Sequence, residues 1–461
     1  VSLGKKTQNG TGKDARKGID RIDLLKYESE WGSGGRFSGR RPKGPIMKNI
    51  LVPLLAVLLC IPCLLCGQEA FKEISVVVNI EVPVRVYEGS RFVDDLTIDD
   101  FEVLEDGVPQ KIEAVYLIKK NSIERSDENR RFSPDTQRCY FLFFEMADYS
   151  PRLEEALDFF IQNVISPQDV LFVTTPLNSY RLKDDALEMK SKAEIAEEIT
   201  KLVRVEIEQG NREYRQTIRD LVELSQKLAV ALGATPSQST SAPAIGRDSA
   251  NSQDDTIVLE LLLLEYSDVL AKLENLRKVD QLKLLDFARY LKNQNGQKYV
   301  YMFYEKEFIP RIDSRILDQF KTSYQDNPAL LQSMSTLFDF YTRQKTFDVD
   351  KVKKAYSDAS TSIHFLFLTE IPEPLEGVRM EEHSEDIFSA FREMAKATGG
   401  LVIGSRNPVH AFQRTLEASE NFYLLYYRPR EYTQDGKFKE IEVRVKKRRY
   451  RVLHRAGYFS N

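Results

Sequence analysis

Residues 139–165 read "CYFLFFEMADYSPRLEEALDFFIQNVI". An unbroken apolar run, Cys139 to Phe144, meets acids and hydroxyls at Glu145, Asp148 and Ser150. Pro151 then opens a stretch with apolar residues at helical spacing. A run that is apolar at every position predicts a strand covered on both faces, as in the middle of a parallel sheet. "DVLFVTT", residues 169–175, is the next such run, so strand, helix and strand make a βαβ unit. The same signal recurs outward along the chain. Strands are expected in "QKYVYMFYEKEF" (298–304), "TSIHFLFLT" (361–369) and "LVIG" (401–404), with helical stretches between them. One helix starts near residue 384 and stops at Gly399 or Gly400. The alternation over 139–418 predicts an α/β fold with a doubly wound, mostly parallel Rossmann-like sheet. Residues 185–296 read as a mainly helical insertion and connecting helix. Within them, the low-complexity stretch 234–254, "ATPSQSTSAPAIGRDSANSQD", is expected to be disordered.

The flanks change period. In "ISVVVNIEVPVRVYEG" apolar residues alternate with polar ones, and "EDGVPQ" offers Asp106-Gly107 as a hairpin turn. Residues 71–118 therefore read as a small β-domain. Three β stretches follow residue 418, in "NFYLLYYRP", "FKEIEVRVKK" and "YRVLHRAGY". Neither segment has much core alone, so 71–118 and 419–460 are expected to pack together as a small β-sandwich-like unit.

The N-terminal region has its own logic. Residues 1–46 hold eleven Lys and Arg against five Asp and Glu, and read as a non-native or disordered leader. "MKNILVPLLAVLLCIPCLLCGQEA", 47–70, has the pattern of a signal peptide, with Met47, Lys48 and an apolar run from Ile50 to Cys66. Cleavage is expected near Gly67. Lipidation at Cys66 is the alternative, although Leu64 and Leu65 stand where a lipoprotein signal wants a small residue. Without residues 1–67 the formal charge moves from −4 to −11. An acidic exported protein, periplasmic or extracellular, is a poor partner for nucleic acid or an anionic membrane. Three of the four cysteines fall in the signal region, which leaves Cys139 alone, without a disulfide or a thiol-rich metal site.

Four phrases carry a resemblance: "DLTIDDFEVLEDGVPQKI", "FLFFEMADYS", "MAKATGGLVI" and "ENFYLLYYRPREYTQDGKFKEIEVRVKKRRYRVLHRAGY". In this order the chain resembles the VWFA-related proteins of the Acidobacteria type, over about 71–182 and 297–460. The resemblance implies export, a von Willebrand factor type A-like (vWA-like) domain with a flanking β-domain, and a protein partner. It also implies a place for Mg²⁺ at the strand ends, built in that family from Asp-x-Ser-x-Ser, a later Thr and a later Asp. Here the first Asp falls on Glu145, the serines on Ala147 and Tyr149, and the later Asp on Glu305. Thr174 and Thr175 end the second strand, short of the usual Thr. The metal-ion-dependent adhesion site is therefore expected to be degenerate. Glu145, Asp148, Ser150 and Glu305 remain as a non-standard candidate set for a hard cation.

Other chemistry finds little support. The four histidines, His364, His383, His410 and His454, have no H-E-x-x-H spacing. "MADYSP" is not a nucleophile elbow, and "KATGGLVIGS" lacks a phosphate-binding pattern. The expected function is an exported, non-enzymatic, protein-binding or adhesion-type module. The alternatives are a divalent-metal-dependent receptor, a structural component of an envelope complex, or an enzyme of another kind.

Overall fold

The computed structural model describes residues 24–27, 78–232, 253–339, 347–369, 372, 374–446 and 450–461. The signal-like segment 47–67 with Cys66, and residues 234–252 of the low-complexity stretch, lie outside them.

The doubly wound, mostly parallel, Rossmann-like (vWA-like) fold expected from the sequence is not the class of this chain. It is rich in antiparallel sheet, including a curled half-barrel, with about 31% strand and 42% helix among the described residues. Among the described residues, eleven of fifteen strand pairings are antiparallel. Parallel pairing is confined to four contacts within one mixed sheet. The error has a physical source. The apolar runs pair parallel with one another, but the flanking β segments and the short strands beside the runs pair antiparallel and outnumber them. Direction is fixed by connections far apart in sequence.

The mixed sheet runs in the order Leu24–Tyr27, Ser179–Leu182, Val170–Thr174, Arg138–Glu145, Gln297–Glu305, Thr361–Leu368, Val402–Ser405. The first two strands pair antiparallel, and Ser179–Leu182 returns antiparallel on Val170–Thr174. Alternation along Arg138–Glu145 sorts its side chains. Tyr140, Leu142 and Phe144 join a core with helices Pro151–Asn163 and Lys192–Gly210. Cys139 and Phe141 join another with helices Gln281–Lys292, Val349–Asp358 and Glu385–Ala397.

The terminal β segments interleave. Asn421–Tyr427 lies between Ile80–Glu88 and Ile112–Lys119, antiparallel to both. Phe438–Val445 pairs with Phe101–Glu105 on one side and Gly457–Phe459 on the other. Val82, Val84, Val103, Leu425 and Val443 fill the shared core. Asp106 and Gly107 both take positive φ, 48° and 80°, and turn Phe101–Glu105 into Val108–Gln110. The buried Glu105 carboxylate accepts hydrogen bonds from Tyr427 at 2.6 Å and Tyr458 at 3.0 Å, which answers its charge inside the core.

A histidine is sealed where the mixed sheet meets helix Pro408–Glu420. His364 is wholly buried. Its Nδ1 accepts from the Leu401 amide at 3.3 Å, so Nε2 carries the proton and donates to Ser419 Oγ at 2.9 Å. A second proton would face an N–H donor. Burial, with Arg85 adding to it, holds the ring's pKa well below its ordinary value of 6.5. Below about pH 6.5 the unfolded chain takes up a proton that the folded chain refuses. Stability is therefore complete above that pH and falls as pH drops toward the folded value, by about 1.4 kcal/mol per pH unit. Burial also lowers His383 and His454, so they act in the same direction. Urea midpoints of His364→Gln at pH 7.5 and 5.5 should show a shallower acid-side loss than the parent chain. Equal losses would mean that His364 titrates normally.

Candidate functional site

The strand ends open into a cavity of about 980 Å³ between the mixed sheet and the helical segments around 210–218 and 276–290. This is where an open sheet most readily offers a ligand a concave surface. Glu145 is the last residue of its strand and pairs in register with Tyr304. Period-two alternation then puts Glu145 and Tyr304 on one face, with Phe143, and Glu305 on the other. The two glutamates line the same cavity without converging from one face.

The loop that follows Glu145 is tied down by protein groups. Glu305 Oε2 accepts from the backbone N–H of Ala147 at 3.0 Å and of Asp148 at 3.1 Å. Asp148 Oδ1 pairs with Arg215 Nη1 at 3.1 Å. Asn211 Nδ2 donates to the Met146 carbonyl at 2.7 Å. Asn211 and Arg215 both come from the helical insertion, which thereby clamps the strand-end loop. Ser150 sits at the N-cap of helix Pro151–Asn163. Its carbonyl accepts from Leu153 at 2.9 Å, its hydroxyl makes no cap bond, and it is not among the residues lining the cavity.

The candidate cation set thus divides. Glu145, Asp148 and Glu305 line the cavity, and Ser150 does not. Mg²⁺ needs several hard oxygens with lone pairs free and nearly octahedral. Asp148 is engaged by a guanidinium and Glu305 by two amides. Where the resemblance places serines stand Ala147, with no oxygen to give, and Tyr149, whose ring lies beneath the Arg204 guanidinium. Burial pushes the Tyr149 hydroxyl up to about 12, so it stays protonated near neutrality. Thr174 shares a hydrogen bond with Ser179 at 3.1 Å, and Thr175 bonds Glu206. These residues do not fit the ion. Among the described residues there is no group of three or more His, Cys, Asp or Glu placed to hold a metal.

Glu145 differs from the other acids. It is exposed to the space of the cavity, yet protein crowds that space, and burial raises its pKa while Lys283 draws it down. At the rim the Arg277 side chain, 2% exposed, pairs with Glu274 at 2.7 Å and Glu307 at 2.5 Å. It also donates to the His383 carbonyl at 2.9 Å. Lys283, Arg277, Asn211 and Arg215 were not singled out in the sequence. The available signal for Lys283 was its spacing of four from Phe287, which places both on one helix face. Nothing local pointed to the others.

No family model matches the chain, and no curated protein matches it. Among solved structures it is similar to the human COPII-coat protein Sec24c, at 7% sequence identity and a TM-score of 0.24, over 76% of this chain and 46% of that one. This chain thus spans less than half of that protein's length, and a likeness so distant carries no argument about fold or function.

Proposed function

We propose that this chain is an exported, non-enzymatic, protein-binding or adhesion-type module whose strand-end acids serve its own loops instead of a cation. The observation that carries this reading is the double amide contact of Glu305, reinforced by the Arg215–Asp148 pair. Oxygens held by two N–H donors and a guanidinium are stabilised as they stand, and a metal would have to displace those partners. In the cavity the hydroxyls of Thr175 and Ser384 bond the carboxylates of Glu206 and Glu382, which are weak bases for activating a nucleophile. Among the described residues no histidine lines the cavity. Cys139 is buried, and desolvation pushes its thiol up to about 11, so little of it is thiolate near neutral pH. Export rests on the signal-like segment at 47–70, and binding on the resemblance of four sequence phrases to VWFA-related proteins.

Calorimetric titration of the purified chain with Mg²⁺ or Mn²⁺ at neutral pH should give no saturable heat. Glu305→Ala should lower stability by about 1.5–3 kcal/mol in the presence of chelator, because charge-assisted hydrogen bonds are lost with no metal involved. Saturable binding abolished by Glu305→Ala would restore the metal-dependent receptor. Crosslinking in native envelope, followed by identification of the captured protein, tests the partner itself.

A further inference from the structure

Among the described residues ten charged side chains line the cavity, and they can be accounted for one at a time. Asp148 pairs with Arg215, Glu213 with Lys272, Arg277 with Glu274 and Glu307, and Lys306 with Glu382. Asp280 accepts from the Leu282 and Lys283 amides as a helix cap, Lys278 donates to Asn275, and Glu305 holds the Ala147 and Asp148 amides. Glu145 and the Lys283 ammonium are left. Neither has a hydrogen-bond or ion-pair partner among the described residues. They feel each other's charge without closing to an ion pair. Around them the walls are aromatic: Phe143 lies against Phe287 at 4.7 Å, Phe172 against Tyr290 at 6.1 Å, and Tyr304 completes the floor.

One uncommitted anion and one uncommitted cation in an aromatic-walled cavity make a complementary surface for a molecule with both charges and an apolar body. We infer that the cavity is a binding site for a small zwitterion with apolar side chains, an amino acid or short peptide, its ammonium taken by Glu145 and its carboxylate by Lys283. The size agrees, since cavities of about 300–1,000 Å³ enclose ligands of this scale. The energetics agree as well. A ligand ammonium at Glu145 and a ligand carboxylate at Lys283 would each gain a charge-assisted hydrogen bond where the protein supplies none. Aromatic faces add dispersion and favour the ammonium electrostatically. A chain with no protein partner at all would still hold this site.

The test uses the purified full chain and isothermal titration calorimetry with L-phenylalanyl-L-phenylalanine. N-acetyl-phenylalanyl-phenylalanine and phenylalanyl-phenylalanine amide each remove one of the two charges. The expected result is saturable binding of the free dipeptide, weakened about tenfold or more by either modification. Glu145→Gln should erase the preference over the acetylated probe, and Lys283→Met the preference over the amide. Circular dichroism of both variants should match the parent chain, because neither side chain holds the fold together. No saturable heat with the free dipeptide overturns the assignment, as does binding that neither substitution changes.

Discussion

Gly400→Ala is expected to destabilise the chain by more than about 3 kcal/mol, above the usual cost of overpacking. A Cβ at this position would lie 1.8 Å from the Ile363 carbonyl oxygen and 2.6 Å from its carbonyl carbon. Both are backbone atoms of the Thr361–Leu368 strand, so no side chain can swing aside. The neighbourhood is a junction. Gly399, at φ +69°, ends helix Glu385–Ala397, and the Gly400 amide donates to the Ala395 carbonyl at 2.8 Å. The Phe365 amide reaches the Leu401 carbonyl at 2.9 Å, and buried Arg85 of the β unit reaches the Gly399 carbonyl at 3.3 Å. Pushing Gly400 off Ile363 therefore loosens a helix stop, a strand pairing and a contact with the β unit together. Gly404, a few residues on, has nothing within 4 Å of its Cβ position. Gly404→Ala should be neutral, or stabilising by about 0.5 kcal/mol, since Gly costs entropy inside a strand. Urea midpoints by near-ultraviolet circular dichroism would separate the two. A Gly400→Ala midpoint equal to that of Gly404→Ala would show that the close approach is not a constraint.

Those glycines mark the limit of what the sequence disclosed. A helix stop at "ATGG" was legible, because paired glycines after a periodic stretch have a local meaning. That Gly400 also touches Ile363 was not, because the contact joins residues with no shared pattern. The opening stretch behaves in the same way. Its apolar run is the strand Arg138–Glu145, and Pro151 begins a helix. These runs do pair parallel with one another, but antiparallel pairings outnumber them in the described chain, many of them in the flanking β unit, as with Asn421–Tyr427 between Ile80–Glu88 and Ile112–Lys119, so a mostly parallel class failed. At the site, Glu145, Asp148 and Glu305 could be found as acids after strands. Whether each has a partner depends on Arg215 from one helix, Lys283 from another and the amides of the loop itself. Hydrophobic period reports burial, and it carries no information about which distant charge answers a carboxylate.

Asp169→Ala should be among the most damaging substitutions, at about 3–5 kcal/mol, because it strands a buried cation. Arg138 opens the strand Arg138–Glu145, and Asp169 stands just before Val170–Thr174. Their side chains are 3% and 1% exposed. The guanidinium meets the carboxylate as a fork, Nε to Oδ1 at 2.9 Å and Nη2 to Oδ2 at 2.5 Å. Oδ2 also accepts the Ser166 amide at 2.8 Å, which closes the turn after helix Pro151–Asn163. Removing the acid leaves Arg138 with the Val164 carbonyl and the Ser166 hydroxyl, two neutral acceptors for a full charge. It also orphans an amide. The pair Arg138→Met with Asp169→Leu should recover most of the loss, since two apolar side chains leave no charge to desolvate. Salt separates this pair from surface ion pairs. At 1 M NaCl an exposed pair is screened, whereas the Asp169→Ala deficit should persist. A deficit below about 1 kcal/mol would put Arg138–Asp169 in the range of exposed pairs and mean that water reaches the guanidinium. A double variant no better than Asp169→Ala would instead locate the cost in the Ser166 turn, because that amide is the donor neither apolar replacement can satisfy.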